Sequence, residues 1–381
     1  MEWKKNKVDM LAKRISVFLL VLGFGLAAAA GLPVRILLDE TGLAEVRIQG
    51  KHSLWNLAGR LATVEHDQTY RLLADGKGIE LTCDSPPCPV QGYVGNLISF
   101  VPADGIVRVG ERGYRGYLRV VWRDGRLLLI NKVDIEDYLR GVLPGEVPAS
   151  FPYEVLKAQA ILARTYTLSR LGSNPDYDLC DTSRCQVYLG ADAEAERYDR
   201  AVRDTVGRVL AYDGKPISAV YHADSGGRTA AAAEVWGSSI PYLQSRDDPW
   251  SLDRRWQVTV SPAQVRQVLA EMGHSVAPVS GLQVVERGSS GRIIAMRVTT
   301  AEGGLRLGVP EVGRFLRSLG LPSTLASLSG WTFSGRGSGH GVGMSQWGAR
   351  GFAAHGWNYR EILAYYYPKT VLTHYQLSAS R

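Results

Sequence analysis

In the run GVLPGEVPASFPYEVLKAQAILARTY, residues 141–166, Glu146 is flanked by Pro144, Gly145 and Pro148 and stands just ahead of a helix-patterned stretch. Proline fixes φ and glycine opens conformations closed to other residues, so these neighbours predict a rigid turn around one carboxyl group. Such a carboxyl has two readings: a surface turn residue, as most loop glutamates are, or an acid aimed at a substrate. Two further polar, glycine-rich segments bear on the choice. Residues 221–250, YHADSGGRTAAAAEVWGSSIPYLQSRDDPW, carry His222, Ser225, Gly226, Gly227 and Arg228. Residues 335–349, GRGSGHGVGMSQWGA, carry His340, Ser345 and Gln346 among alternating glycines, and the patterned stretch itself adds Gln159, Arg164 and Tyr166.

Three segments so far apart in sequence, sharing small residues and side-chain donors, predict one substrate-binding site closing on Glu146. Dense glycine equally suits a bulged strand in a crowded sheet, with Trp236, Tyr242, Trp250 and Trp347 as core aromatics. If the segments face a ligand, the same rings become platforms for the apolar face of a sugar. The DSGG at residues 224–227 is similar to the nucleophile segment of trypsin-like serine proteases, but Ala223 replaces the expected glycine, Thr229 stands near an expected proline, and no segment supplies the base. A glycan gives one acid a complete role. Ordinary glycosidases need two carboxyl groups, whereas a lytic transglycosylase needs one, because the C6 hydroxyl of muramic acid is its internal nucleophile. Glu146 must then start protonated, which burial against Val142, Leu143 or Val147 favours and the nearby helix N-terminus opposes.

The elements that hold these segments read as a mixed α+β, β-rich body with a few helices around a substrate cleft. VRILL (34–38), YRLLA (70–74), LISFV (97–101), YLRVVW (117–122) and RLLLINKV (126–133) predict strands of a β-rich lobe over residues 31–130. A helix follows from about Ser150, its predicted cap, to the residues before Gly172. Strand character returns at VLAY and ISAVYH in 202–221, then a helix over 261–273, strands near 282–286 and 293–300, and helices near 309–319 and 359–366, all within a catalytic region of residues 131–375.

Residues 1–30 combine Lys4, Lys5, Lys7, Lys13 and Arg14 with an apolar run ending in alanines, which predicts an export signal or, if uncleaved, a membrane anchor. The net charge of +7 shrinks without that segment, leaving no nucleic-acid footprint, and a hydrophobic content of 45% fits a globular exported chain at the cell envelope. Four cysteines fall in two local pairs, Cys83 with Cys88 and Cys180 with Cys185. In an oxidising compartment two short-loop disulfides are expected, with metal the alternative for the second pair.

NKVDIEDYLRGVLPGEVPASFPYEVLKAQAILARTYTL (131–168), CDTSRCQVYLG (180–190), SGGR at 225–228 with EVWG and PYLQSRDDPW, and GRGSGHGVGMSQWGARGFAAHGWNYREILAYYYPKT (335–370) occur in one order. With these motifs, spread over most of residues 34–372, the chain resembles the sporulation stage II protein D family, whose domain is shared with amidase-enhancer proteins. The resemblance implies a lytic transglycosylase acting on peptidoglycan strands stripped of stem peptides, with Glu146 as catalytic acid and the SGGR and GHGVGMSQ segments lining the cleft. It equally allows a noncatalytic wall-binding enhancer of a cell-wall amidase. Some relatives bind zinc through a histidine and two cysteines. Here Cys180 and Cys185 are present, but Ser173, Asn174 and Pro175 stand where the histidine is expected, and this departure from the family's pattern favours a disulfide with no cofactor over zinc, which stays the alternative.

Overall fold

The computed structural model describes residues 31–252 and 254–375, so the export or anchor segment, residues 1–30, lies outside the described residues. All five strands expected in the first third form. They belong to two six-stranded arrays built from residues 33–134, one of which a later strand extends to seven. In the larger sheet Pro33–Thr41, Arg126–Asp134, Tyr117–Arg123 and Leu97–Pro102 lie side by side and antiparallel, and Leu179–Cys180 adds a short parallel strand at the edge. Alternate residues point into a common core: Ile36, Ile98, Phe100, Leu118 and Val120 from one sheet, and Val46, Tyr70, Leu72 and Leu81 from the other. The Tyr70 and Phe100 rings meet at 5.1 Å and join the sheets.

Among the described residues there are eight α-helices: α1 Ile135–Glu146, α2 Tyr153–Arg170, α3 Glu196–Arg203, α4 Ala232–Trp236, α5 Pro262–Glu271, α6 Glu311–Ser318, α7 Gln346–Ala354 and α8 Tyr359–Tyr366. None is long and apolar enough to cross a membrane. Helix α1 corrects the expected turn. Asp134 caps it by accepting from Glu136 N at 2.8 Å, and Glu136 and Asp137 suit its positive end. Burial of Tyr138, Leu139, Val142 and Leu143 carries the helix through Pro144, which sits in the last turn, so Glu146 is the final helical residue. The expected Ser150 cap is absent too. Pro152, at φ −51° and ψ 143°, is the N-cap and leaves the first turn of α2 with no side-chain cap.

Helix α2 is buried on most of its surface, with Ala158, Ala160 and Ala163 allowing close neighbours. Its Arg164 does not face a ligand. The guanidinium is paired with Glu136 of α1, Nε to Oε1 at 2.8 Å and Nη2 to Oε2 at 2.5 Å, and Nη1 donates to the Arg208 carbonyl at 3.1 Å. This fork clamps α1, α2 and the strand Arg208–Tyr212 together.

Residues 255–336 form a lobe whose boundaries the sequence pattern does not mark. The antiparallel strands Val279–Arg287, Ile293–Thr300 and Gly303–Leu307 pack with α5 and α6 around Val265, Leu269, Met296, Val298, Phe315, Leu316 and Phe333. Strand Arg255–Thr259 pairs with Thr332–Arg336 and returns the chain to the main body where it left.

Arg164→Ala should cost about 3 kcal/mol of unfolding free energy, the low end for breaking a buried ion pair because Glu136 keeps some exposure. Urea denaturation checks this, and an unchanged midpoint would deny the clamp.

Candidate active site

Two glycines one helical turn apart bring α1 against residues 186–190. A Cβ on Gly141 would lie 2.6 Å from the Tyr188 ring and 2.8 Å from the Gly190 carbonyl, and one on Gly145 would lie 2.8 Å from both Val187 Cγ1 and Val187 O. Backbone therefore touches backbone, and Val187 N donates to Glu146 Oε1 at 2.9 Å. The Tyr221 hydroxyl bonds the same carboxyl group. Behind it, Gln186 Nε2 donates to Tyr221 OH at 3.2 Å, while Gln186 Oε1 accepts from Thr167 Oγ1 at 2.9 Å and Tyr138 OH at 3.3 Å. Every group in this chain of contacts is uncharged, so nothing cationic holds Glu146 ionised.

Burial raises the Glu146 pKa above the ordinary glutamate value, while the bonds from Val187 and Tyr221 pull it down without cancelling the rise. The helix end acts in the opposite sense to the sequence expectation. Glu146 closes the C-terminus of α1, where unpaired carbonyls disfavour an anion, instead of preceding a helix N-terminus that would stabilise one.

Glu146 opens into a cleft of about 750 Å³. Tyr166, His222, His340 and Gln346 line it with Glu146, as expected, and so does Trp236. The opposite wall is the inserted lobe, through Ile293, Val312, Leu316 and Arg317 among others. His340 Nδ1 accepts from Val342 N at 3.0 Å and its ring lies 5.4 Å from Trp236 and 5.5 Å from His222. Burial lowers the His340 pKa to about 4 and drives that of His222 well below the usual imidazole value, so both rings are neutral at physiological pH. His222 meets the Val342 carbonyl through Nδ1 at 3.0 Å, which leaves Nε2 as the acceptor nitrogen.

The remaining expected residues do not line the cleft. Gln159 is buried beneath it and accepts from Gln346 Nε2 at 3.4 Å, so it supports a lining residue. Ser225 and Ser345 belong to a buried network: Ser225 Oγ donates to Asp248 Oδ2 at 2.6 Å, Ser345 Oγ accepts from Ser225 N at 3.2 Å, and Tyr366 OH donates to Asp248 Oδ1 at 3.1 Å. Gly226 lies against Leu325 and Arg336, and Gly227 faces Arg336. Arg228 pairs with Asp247 and donates to Ser245 Oγ at 3.0 Å. Tyr242, Trp250 and Trp347 also lie off the cleft, Trp250 stacking on His355 at 3.6 Å.

Arg292 of the lobe explains Gly341. Fully buried, it donates to the Ser225 carbonyl at 2.7 Å and to Ser323 Oγ at 2.8 Å. Gly341 runs directly over it, where any Cβ would fall 2.4 Å from Nη2. Gly341 thus lets the backbone pass a buried arginine, while Gly337, Gly339 and Gly343 let it pass Asp224 O, His222 Cβ and Val220 O. Sequence reasoning missed Tyr221 and Gln186, although Gln186 follows Cys185 in the CDTSRCQ motif and Tyr221 heads the SGGR segment.

The second cysteine pair is a disulfide, Cys180 with Cys185, as is Cys83 with Cys88. With both sulfurs joined, and Asn174 and Pro175 offering only carbonyls that accept from Arg35, the donor set at this loop does not fit zinc.

A family model described as "Stage II sporulation protein" matches residues 123–212, which hold α1, α2 and the disulfide loop, and a "Domain of unknown function" matches residues 244–343, nearly the inserted lobe. The chain is 30% identical over 283 residues to an uncharacterized protein of Brachyspira hyodysenteriae, covering 71% of this chain and 74% of that protein. It is 31% identical over 269 residues to Stage II sporulation protein D of Bacillus subtilis, covering 64% and 76%. An Amidase enhancer of Bacillus subtilis is 32% identical over 289 residues, covering 62% of this chain and 40% of that protein.

Gly145→Ala should force Val187 away from α1 and cost about 1 to 3 kcal/mol, the usual penalty for overfilling a packed contact. Thermal unfolding reads the loss; an unaffected protein would mean that the two backbones need not touch.

Proposed function

The chain belongs to the stage II sporulation protein D family, and from that premise and the geometry at Glu146 we propose that it is a peptidoglycan lytic transglycosylase. The observation that carries this reading is one cleft carboxyl whose pKa burial raises, with Glu234 the only other carboxyl lining the cleft among the described residues. Glu146 and Glu234 are the acidic residues that line the cleft, and Glu234 is taken up by Ser289 Oγ at 2.7 Å, Ser290 N at 3.2 Å and Ser290 Oγ. Among the described cleft-lining residues a two-carboxylate hydrolase would have to draw its second partner from Glu234, which these serine groups already bond.

In the proposed reaction Glu146 gives its proton to the glycosidic oxygen as the bond to C1 of muramic acid breaks. The C6 hydroxyl of that ring attacks C1 and its proton passes to the Glu146 carboxylate. A 1,6-anhydro bond forms, no water is consumed, and Glu146 ends protonated as it began. Neutral His222 and His340 do not compete as acids, and Trp236, Tyr166 and Gln346 offer a ring face and polar atoms to the sugars. The substrate is the glycan strand, preferably free of stem peptides, in the cell envelope. Two disulfides support work in an oxidising compartment.

The relative named Amidase enhancer favours a second reading, in which the chain binds glycan without cutting it and stimulates a cell-wall amidase as its partner. Mass spectrometry of peptide-free glycan digested by the purified protein separates the two: 1,6-anhydromuramic ends support cleavage, and an unaltered strand supports the binder.

Glu146→Gln should lower cleavage by about 10² to 10⁴ while glycan binding persists, since the amide keeps shape but has no proton to give. Wild-type turnover by that variant would remove Glu146 from the reaction. Because the free enzyme must hold the acid form, kcat/KM should be retained below the raised Glu146 pKa and fall as pH rises through it. The Tyr221 bond lowers that pKa, so Tyr221→Phe should move the fall to higher pH. A shift to lower pH in the pH–rate profile would contradict the assigned role of the phenol.

A further inference from the structure

Three arginines from separate parts of the chain reach the same cleft. Arg170 ends α2 with its guanidinium 5.1 Å from the Tyr166 ring centre, Arg184 sits on the loop closed by Cys180 and Cys185, and Arg317 stands in the last turn of α6 on the inserted lobe. All three are exposed, and among the described residues none is within ion-pair distance of a carboxylate. The rest of the lining does not balance them. Glu234, bonded by Ser289 and Ser290, sets one carboxylate against the three guanidiniums, the histidines are neutral, and Glu146 lies buried among uncharged partners. A cleft with this sign attracts an anion and holds it best through guanidinium forks, which match the geometry of a carboxylate.

Resting on the glycan-cleaving reading above, we propose that Arg184 of the disulfide loop and Arg317 of the inserted lobe, which line the same cleft, form a subsite for the free lactyl carboxylate of muramic acid. That carboxylate is carried by the same ring whose C6 hydroxyl attacks, so a cation in the cleft that holds this ring meets it at every cleavable linkage. A stem peptide turns it into a neutral amide and removes the charge. The arginines therefore make the cleft select for strands already processed by amide hydrolysis, and the disulfide gains a purpose as the support of Arg184. A wall phosphate offers similar charge, but it is not part of the reacting ring.

The test uses the full chain carrying Glu146→Gln, so that glycan is bound and not consumed. Calorimetry at low salt compares peptide-free glycan oligosaccharides with the same oligosaccharides after conversion of each lactyl carboxylate to its carboxamide. The carboxylate form should bind at least tenfold more tightly. Adding Arg184→Gln or Arg317→Gln should each reduce that preference several-fold while affinity for the carboxamide form and thermal stability stay as they were. Equal affinity for the two forms, or arginine variants that weaken both forms alike, would overturn the carboxylate subsite and leave the glycan-cleaving reading standing. Binding of neither form, together with an uncut strand in the product assay, would bring down both.

Discussion

The contact between the last turn of α1 and residues 186–190 is the constraint on which the site depends. Side chains are missing at Gly141 and Gly145, so two backbones meet where packing would otherwise hold them apart. From that meeting come the Val187 bond to Glu146, the burial that resists ionisation, and the approach of Tyr221 backed by Gln186. The rest of the fold keeps both partners still. Arg164 locks α1 to α2 through Glu136, while Tyr188 is wedged beside Tyr138 and Tyr114 and bonds Asn131 through its hydroxyl at 3.1 Å. An acid needs a fixed position and a poor environment for charge, and one contact supplies both.

The inserted lobe completes the cleft from the other side. Its attachment uses a buried arginine with no carboxylate partner among the described residues: Arg292 donates through Nη1 and Nη2 to a serine and to carbonyls while its Nε has no partner there, and burial lowers its pKa to about 10. That charge also disfavours protonation of His222 and His340, adding to the effect of burial. Glu234 makes a second attachment through Ser289 and Ser290. The arginine that joins lobe to body thus also helps keep the cleft imidazoles neutral.

Much of the fold could be read from the sequence, since strands such as 126–134 and 293–300 and the helix 359–366 follow apolar periodicity with clear stops. Helix α1 was missed because Pro144 and Gly145 look like a turn, whereas burial of Leu139, Val142 and Leu143 overrides local preference. The expectation for Glu146 rested on a reason only half right: the carboxyl is fixed by a helix end and the adjoining segment 186–190, not by a turn. Ser225, Ser345 and Arg228 show a limit of composition. A polar, glycine-rich segment looks the same whether its donors serve a ligand or an internal carboxylate, and here they serve Asp248 and Asp247. Tyr221 and Gln186 escaped notice because uncharged residues in apolar surroundings give no signal until the fold brings them to a carboxyl group.

The most direct measurement of the central claim is the ionisation of Glu146 itself. Carbon-13 labelling of glutamate, with the resonance assigned by its loss in Glu146→Gln, lets the side-chain carboxyl be titrated by NMR in the free protein. A pKa above the ordinary glutamate value, and above the other surface glutamates of the same chain, is the predicted result. A value at or below that of an exposed glutamate would mean that the Val187 and Tyr221 bonds outweigh burial, that the carboxyl is an anion when glycan arrives, and that it has no proton to give.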